Sequence, residues 1–312
     1  MRDNSTLKRA KKAKNDEFYT RMSDIDAELV HYYDFLRGKS VICPCDSPES
    51  NFTKYLIQHF SEIGLKKLVC TCYNKEGLGK KYIVESGYAE LGFLEGNGDF
   101  RSEEVKSLID EADVVITNPP FSISRALISI LIEKKKKFLL IGTINWLCCG
   151  EFAVEWIENR VWPGFLWNKN LTFNTPDGEK RIGIAWWTNI DAGQKINPLV
   201  LTKTYTGNES KYPKYDNCDA IEVSWTADIP KDYFDIMGVP VSAAGKICRE
   251  QFDVLGTICR GVPPKYEHRT KIYTKEEKNA HKNGNDLNGG PVLVENGNYR
   301  VVYTRILIKR KT

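Results

Sequence analysis

Apolar positions recur at helical spacing from Ser23 to Leu36, where Ile25, Leu29, Tyr32, Tyr33 and Leu36 form one stripe. Ser23 suits the N-cap, Asp24 and Asp26 favour the positive end of the helix, and Gly38 ends it. A short apolar run, Ser40 to Cys43, predicts a strand. A Pro- and Ser-containing turn follows, then a helix from about Asn51 to Ile63 with Phe52, Tyr55, Leu56, Phe60 and Ile63 on one side. Further strands are predicted at 67–73, 91–94, 112–117 and 138–142, and a helix at 123–133 closed by four lysines, 134–137. Apolar strands alternating with amphipathic helices predict an α/β fold: a Rossmann-like, mostly parallel sheet with helices on both faces. Ligands of such sheets bind beyond the carboxyl ends of the strands, so the residues ending each strand carry the interest. After Gly164 the runs 165–167, 171–173 and 182–187, with a Pro176-Asp177-Gly178 turn, predict an antiparallel hairpin. From 191 onward Pro, Gly, Asn and Lys dominate without strong periodicity, which predicts a loop-rich region.

Charge changes this picture at the two ends. Residues 1–14 hold six basic side chains against Asp3, and residues 300–312 hold five and no acid, although the net charge is only +4. Basic ends suit phosphate backbones, and a solvated tail explains either end equally well. Four segments follow: a basic arm at 1–14, an α/β domain at 15–190, a loop-rich region at 191–300 and a basic strand or tail at 301–312. No apolar run is long enough to span a membrane and the N-terminus is no secretory signal, so the expected location is inside the cell: cytoplasmic in a prokaryote, and nuclear in a eukaryote should the basic ends meet nucleic acid. Nine cysteines fit free thiols in a reducing compartment. Cys43, Cys45, Cys70 and Cys72 form two C-x-C pairs. Buried strand positions explain them better than zinc, and no metal is expected.

The sharpest local signal is Asn118-Pro119-Pro120-Phe121, directly after the strand 112–117. As plain structure it is a stiff turn capping a strand. As chemistry it answers a specific problem. The exocyclic nitrogen of adenine is a poor nucleophile because its lone pair is delocalised. Two acceptors, the Asn118 side-chain oxygen and the Pro119 carbonyl, favour a pyramidal nitrogen, and consecutive prolines hold them without reorganisation. Phe121 offers a stacking face to a base taken out of its duplex.

This tetrapeptide resembles the catalytic motif of amino-methyltransferases. Asp16-Glu17-Phe18-Tyr19-Thr20, the CPCDSPESNF stretch, Gly98-Asp99-Phe100 and the ending RILIKRK together resemble the EcoRI-type adenine-specific DNA methyltransferases, through most of the chain and most specifically over residues 11–121. The resemblance implies S-adenosyl-L-methionine as methyl donor, with Phe18, Tyr19 and Thr20 at its methionine end. Asp46 would lie near its amino group with Cys45 also in the cofactor site, Asp99 on its adenine amino group and Phe100 on its ring. Asn118, Pro119, Pro120 and Phe121 would hold the target base, with Phe173, or else Trp167, on its other face. It implies double-stranded DNA as substrate, GAATTC as a first guess at the site, a possible cognate restriction endonuclease without direct contact, and a monomer. Two features depart from the wider pattern. The turn after the first strand has no glycine, and Cys72-Tyr73-Asn74 stands where an acid usually grips the ribose, with Asn74 or Glu76 as substitutes. Glutamine N5-methylation of proteins, which meets the same conjugated nitrogen, and a silent nucleic-acid-binding module remain as alternatives.

Overall fold

A computed structural model describes residues 19–148, 150–167, 172–175, 178–181, 184–259, 261–281 and 284–312. The basic arm at 1–14 and Phe18 lie outside them. The chain divides into two compact units: residues up to 143 with 162–194, and residues 144–161 with 195–312.

In the first unit, β1 (Tyr19–Thr20) precedes α1 (Met22–Leu29) and α2 (Tyr33–Leu36). The single helix predicted at 23–36 is interrupted by a 3₁₀ turn at Val30–Tyr32, where Tyr32 adopts φ −108° and ψ 0°. The stripe survives the interruption: Ile25, Leu29, Tyr32 and Leu36 are fully buried. Next come β2 (Ser40–Cys43), α3 (Asn51–Gln58), α4 (Phe60–Ile63), β3 (Lys67–Cys72), β4 (Lys80–Glu85) and β5 (Tyr88–Phe93). They are followed by α5 (Glu103–Glu111), β6 (Val114–Thr117), α6 (Ser124–Glu133), β7 (Lys137–Thr143), β8 (Trp162–Pro163), β9 (Thr172–Thr175), β10 (Gly178–Arg181) and β11 (Ile184–Thr188).

Eight strands form one sheet in the order β5-β4-β3-β2-β6-β7-β11-β8. The central four, β3-β2-β6-β7, are parallel. Their side chains are buried on both faces, from Val41, Leu68, Val114 and Leu139 on one to Ile42, Val69, Val115 and Phe138 on the other. The flanks are antiparallel. The strand expected at 91–94 is therefore the outer half of a β4–β5 hairpin at the sheet edge. Its inner half, Lys-Lys-Tyr-Ile-Val-Glu, is only half-buried and shows little apolar character in sequence. The hairpin expected after Gly164 between 171–173 and 182–187 is found only in its first arm: β9 pairs with β10 and with β1, Thr20 opposite Phe173, while the second expected arm is β11, paired with β7 and β8 in the main sheet.

The second unit holds α7 (Gly150–Ile157) and a four-stranded sheet of β12 (Ile221–Glu222), β13 (Ile236–Pro240), β14 (Phe252–Thr257) and the C-terminal strand β17 (Arg305–Arg310), in the order β12-β13-β17-β14. A capped helix α8 (Lys275–Ala280) and a hairpin of β15 (Val292–Glu295) and β16 (Asn298–Val301) precede β17. The region expected to be loop-rich is thus organised around a sheet with its own core of Tyr215, Ile258, Leu293 and Leu307. Its order was hidden because β12 is two residues long and long irregular segments separate the strands. The basic ending is an interior strand, paired on both sides. Arg305 lies buried against Glu222, with Nε–Oε2 at 3.0 Å and Nη2–Oε1 at 2.7 Å. Lys311 reaches Asp253, and Arg310 sits 4.8 Å from the Phe234 ring centre. Much of the terminal positive charge is therefore engaged within the unit. Among the described residues no helix is long and apolar enough to cross a membrane.

Candidate active site

A cavity of about 420 Å³ opens at the carboxyl ends of β2, β3 and β6. Its wall comes from five segments: Thr20; Pro44 to Ser47 with Ser50, Asn51 and Phe52; Cys72 and Tyr73; Gly98 to Arg101; and Asn118, Pro119, Pro120 and Ile123.

The turn after β2 reaches the cavity without glycine because it needs none: no residue from Cys43 to Ser50 takes a positive φ. Ser50 caps α3, its hydroxyl accepting from the Thr53 N–H at 3.1 Å. The start of that helix faces the cavity through Ser50 and Asn51. Asp46 is buried, and the Thr117 hydroxyl donates to its carboxylate. That bond ties the turn after β2 to the last residue of the strand that presents Asn118. Asn51 Nδ2 donates to the Thr20 carbonyl at 2.7 Å, and Asn118 Nδ2 reaches Thr20 Oγ1 at 3.5 Å. Thr20 is itself held by its pairing with β9.

On the opposite wall, Gly98 has φ +80°, and a Cβ there would run into the Cys72 carbonyl and Gly79. The Gly-Asp-Phe turn is thereby pressed against the end of β3, where the Asn74 N–H donates to the Asn97 carbonyl at 2.8 Å. Asp99 accepts from Arg101 Nε at 2.9 and 3.2 Å, from Nη2 at 2.5 Å and from the Arg101 backbone N–H at 2.9 Å. This clamp holds the Asp99 carboxyl below its usual range. Phe100 is buried beneath, with the Arg101 guanidinium 5.9 Å from its ring centre.

Seven of the residues singled out in sequence therefore line one cavity with Thr20: Cys45, Asp46, Asp99, Phe100, Asn118, Pro119 and Pro120. Phe121 does not. It is half-buried and packs against the hydrophobic core. Tyr19 and Phe173 contribute backbone to the β1–β9 pairing, and their side chains lie outside the described set. Trp167 stacks edge-on against Trp187 at 5.4 Å. Asn74 and Glu76 are absent from the wall, and the exposed Tyr73 stands at the end of β3 instead. Sequence reasoning missed Arg101, Asn51 and Tyr73. The first carried a signal, a cation two residues beyond a carboxylate in a turn. Of the four strand-end cysteines, burial raises the Cys43 thiol, which keeps it protonated, and no metal-binding group occurs among the described residues.

A parallel α/β sheet whose strand ends bring this cavity to an Asn-Pro-Pro turn defines an enzyme of the methyltransferase class. Comparison with known proteins narrows it. The family described as adenine-specific methyltransferase EcoRI matches residues 6–91 and 79–311. The Type II methyltransferase M.EcoRI of Escherichia coli is 38% identical, over 81% of this chain and 89% of that protein. The Type II methyltransferase M.MpnI of Mycoplasma pneumoniae is 34% identical over 97% of each chain. No solved structure matches. The chain belongs to the EcoRI adenine-specific methyltransferase family.

Proposed function

We propose that the chain is a site-specific DNA methyltransferase that moves a methyl group from S-adenosyl-L-methionine to N6 of an adenine flipped out of duplex DNA. The observation that carries this reading is the shared cavity, which joins Asn118, Pro119 and Pro120 to Asp46, Asp99 and Phe100. Its chemistry fits the donor. Two carboxylates, Asp46 and Asp99, suit a molecule with a sulfonium and an ammonium group. Phe52 and Phe100 suit an aromatic base, and the capped start of α3 suits a carboxylate. When bound, the donor supplies an electrophilic methyl on a good leaving group, so no strong base is required of the protein.

The chain's own work is orientation. The Asn118 side-chain oxygen and the Pro119 carbonyl accept the two amino hydrogens and direct the nitrogen lone pair toward the methyl group. Pro119 and Pro120 keep those acceptors in place before the base arrives. Asp99, clamped by Arg101, accepts from the donor's adenine amino group, and Phe100 packs on its ring. Phe18, Tyr19 and Thr20 close the methionine end. Phe173 provides a stacking face for the base, and Phe121, which packs against the core outside the cavity wall, offers a second only on turning toward it. Residues 191–300 read the DNA sequence, and the arm 1–14 contacts phosphates. A cognate restriction endonuclease belongs to the same reading.

The test is incubation of the purified chain with isotope-labelled S-adenosyl-L-methionine and duplex DNA from a methylation-deficient host, followed by nucleoside analysis. Label in N6-methyladenine, absent without enzyme, is expected. Label in cytosine or in protein glutamine instead would overturn the reading.

A further inference from the structure

The first unit contains a buried carboxylate that the proposed chemistry does not use. Glu28 lies in the last turn of α1 with no solvent exposure. Its oxygens accept from two consecutive backbone N–H groups: Phe165 N to Oε1 at 2.9 Å and Leu166 N to Oε2 at 2.8 Å. The Tyr32 hydroxyl donates to Oε1 at 2.8 Å and itself accepts from Gln194 Nε2 at 3.0 Å. Gly164 comes so close that a Cβ there would strike Glu28 Oε1 and the Trp186 side chain. His31 stacks on the Phe165 ring at 4.0 Å, and Tyr32 meets it edge-on at 5.8 Å. One turn of helix thus grips residues 164–166 by backbone and ring together. Burying a carboxylate is costly unless its hydrogen bonds are met. Here the bonds go to the chain that enters the β9–β10 hairpin.

That hairpin leads back to the cavity. Its entry is fixed at Gly164, whose N–H donates to the Trp186 carbonyl at 2.9 Å, at 165–166 by Glu28, and at Trp167 by Trp187. Its exit continues into β11 of the main sheet. Between these, β9 pairs with β1, placing Phe173 opposite Thr20, and Thr20 contacts Asn118.

We propose that Glu28 is a positioning residue for methyl transfer: its bidentate hold on the Phe165 and Leu166 N–H groups sets the β9–β10 hairpin, and through β1 the wall beside Asn118. This rests on the function proposed above. Glu28→Gln is the informative change, since it preserves shape but offers one acceptor oxygen and turns an NH₂ group toward an N–H. Small displacements near reacting groups cost rate steeply, so single-turnover methyl transfer should fall about tenfold to a hundredfold. The dissociation constant for S-adenosyl-L-methionine, measured by calorimetry, should rise by a clearly smaller factor than the rate falls, because Asp46, Asp99 and Phe100 keep their places and only Thr20, at the methionine end, shifts with β1.

Tyr32→Phe removes one donor from the carboxylate while keeping the ring. It should slow the same step by a smaller factor, about twofold to fivefold. If Glu28 served stability alone, both variants would melt earlier yet transfer methyl at the wild-type rate below their melting points, and that result overturns the proposal. If Glu28→Gln does not fold, a Tyr32→Phe protein with unchanged single-turnover rate overturns it equally. A wild-type chain that binds the donor but methylates no DNA would instead overturn the proposed function, and this inference with it.

Discussion

Replacing Asn118 with alanine separates catalysis from cofactor binding. On the mechanism proposed above, the change deletes one of two acceptors for the target amino group, and it leaves Asp46, Asp99 and Phe100 in place around the same cavity. Loss of one preorganised polar group at a reacting centre lowers turnover about a hundred- to a thousandfold. A competing explanation is that the amide matters only for its own contact with Thr20. That contact is 3.5 Å long, at the outer limit of a hydrogen bond, and is worth about 0.5 kcal/mol, roughly a factor of two. The two accounts therefore differ by at least about fiftyfold. Thr20→Val isolates the smaller effect, and Asn118→Asp, which keeps an oxygen acceptor in place, should retain at least about tenfold more activity than alanine. The assay is single-turnover transfer of labelled methyl to duplex DNA, with donor affinity measured separately by calorimetry. A folded Asn118→Ala protein that methylates adenine within a few-fold of the wild-type rate would refute the acceptor mechanism.

Three further outcomes follow from the same structure. Asp99→Ala should weaken S-adenosyl-L-methionine binding by about 1.5–3 kcal/mol in calorimetry, the loss of a hydrogen bond to a charged group, and an unchanged affinity would remove Asp99 from the cofactor site. Glu222→Ala strands the Arg305 charge in the second unit and should cost about 3–5 kcal/mol in urea denaturation, whereas replacing both partners with well-packed apolar residues should cost far less. Asp232 accepts from the Tyr205 and Thr206 N–H groups, and the Tyr205 bond foremost lowers its carboxyl from 3.8 to about 2. Its folded-state value is depressed, so its stabilisation is complete above pH 4 and is lost as pH falls to 2. Asp232→Asn should accordingly lower the melting temperature at pH 7, with the gap to wild type closing toward pH 2.

The parts legible in sequence were those where one residue's environment is set by its immediate neighbours. The strand ending in Thr117 is an apolar Val-Val-Ile run closed by a buried threonine, and its successor Asn118 must then lie at the sheet's carboxyl edge. The stripes Ile25-Leu29-Tyr32-Tyr33-Leu36 and Phe52-Tyr55-Leu56-Phe60-Ile63 predicted buried helix faces, and all of these side chains are buried except Tyr33 and Phe60, which are half-buried against the same core. The hidden parts depend on partners far along the chain. Glu28 reads as an ordinary helix-surface acid, and only the return of residues 165–166, 137 positions later, buries it. Arg305 reads as a DNA-facing base in a basic ending, but Glu222 claims it. Residues 144–161 lie inside the segment 15–190 expected from sequence, yet they belong to the compact unit built from 195 onward. Periodicity reports which face of an element is buried and carries no information on which unit buries it.

The glycine-free turn shows how one local device can replace another at the same place in a fold. In nucleotide-binding sheets, glycines after the first strand allow tight turning and close backbone approach. Here Cys43 to Ser50 turn entirely at negative φ, and the space is made by other means. Pro44 accepts from the buried Thr71 hydroxyl at 3.3 Å, which draws the turn toward β3. Asp46 folds inward onto Thr117 rather than outward to solvent. Ser50 then starts α3 so that Asn51 projects to the Thr20 carbonyl. The close approach that glycine would provide appears instead on the facing wall, where Gly98 lies against the Cys72 carbonyl and Gly79. The requirement for a small residue has moved across the cavity from the first strand's turn to the Gly-Asp-Phe turn. A search for Gly-x-Gly after β2 therefore rejects a site whose walls are complete, and Gly98→Ala should weaken donor binding in calorimetry more than Ser47→Ala does, equal losses refuting the argument.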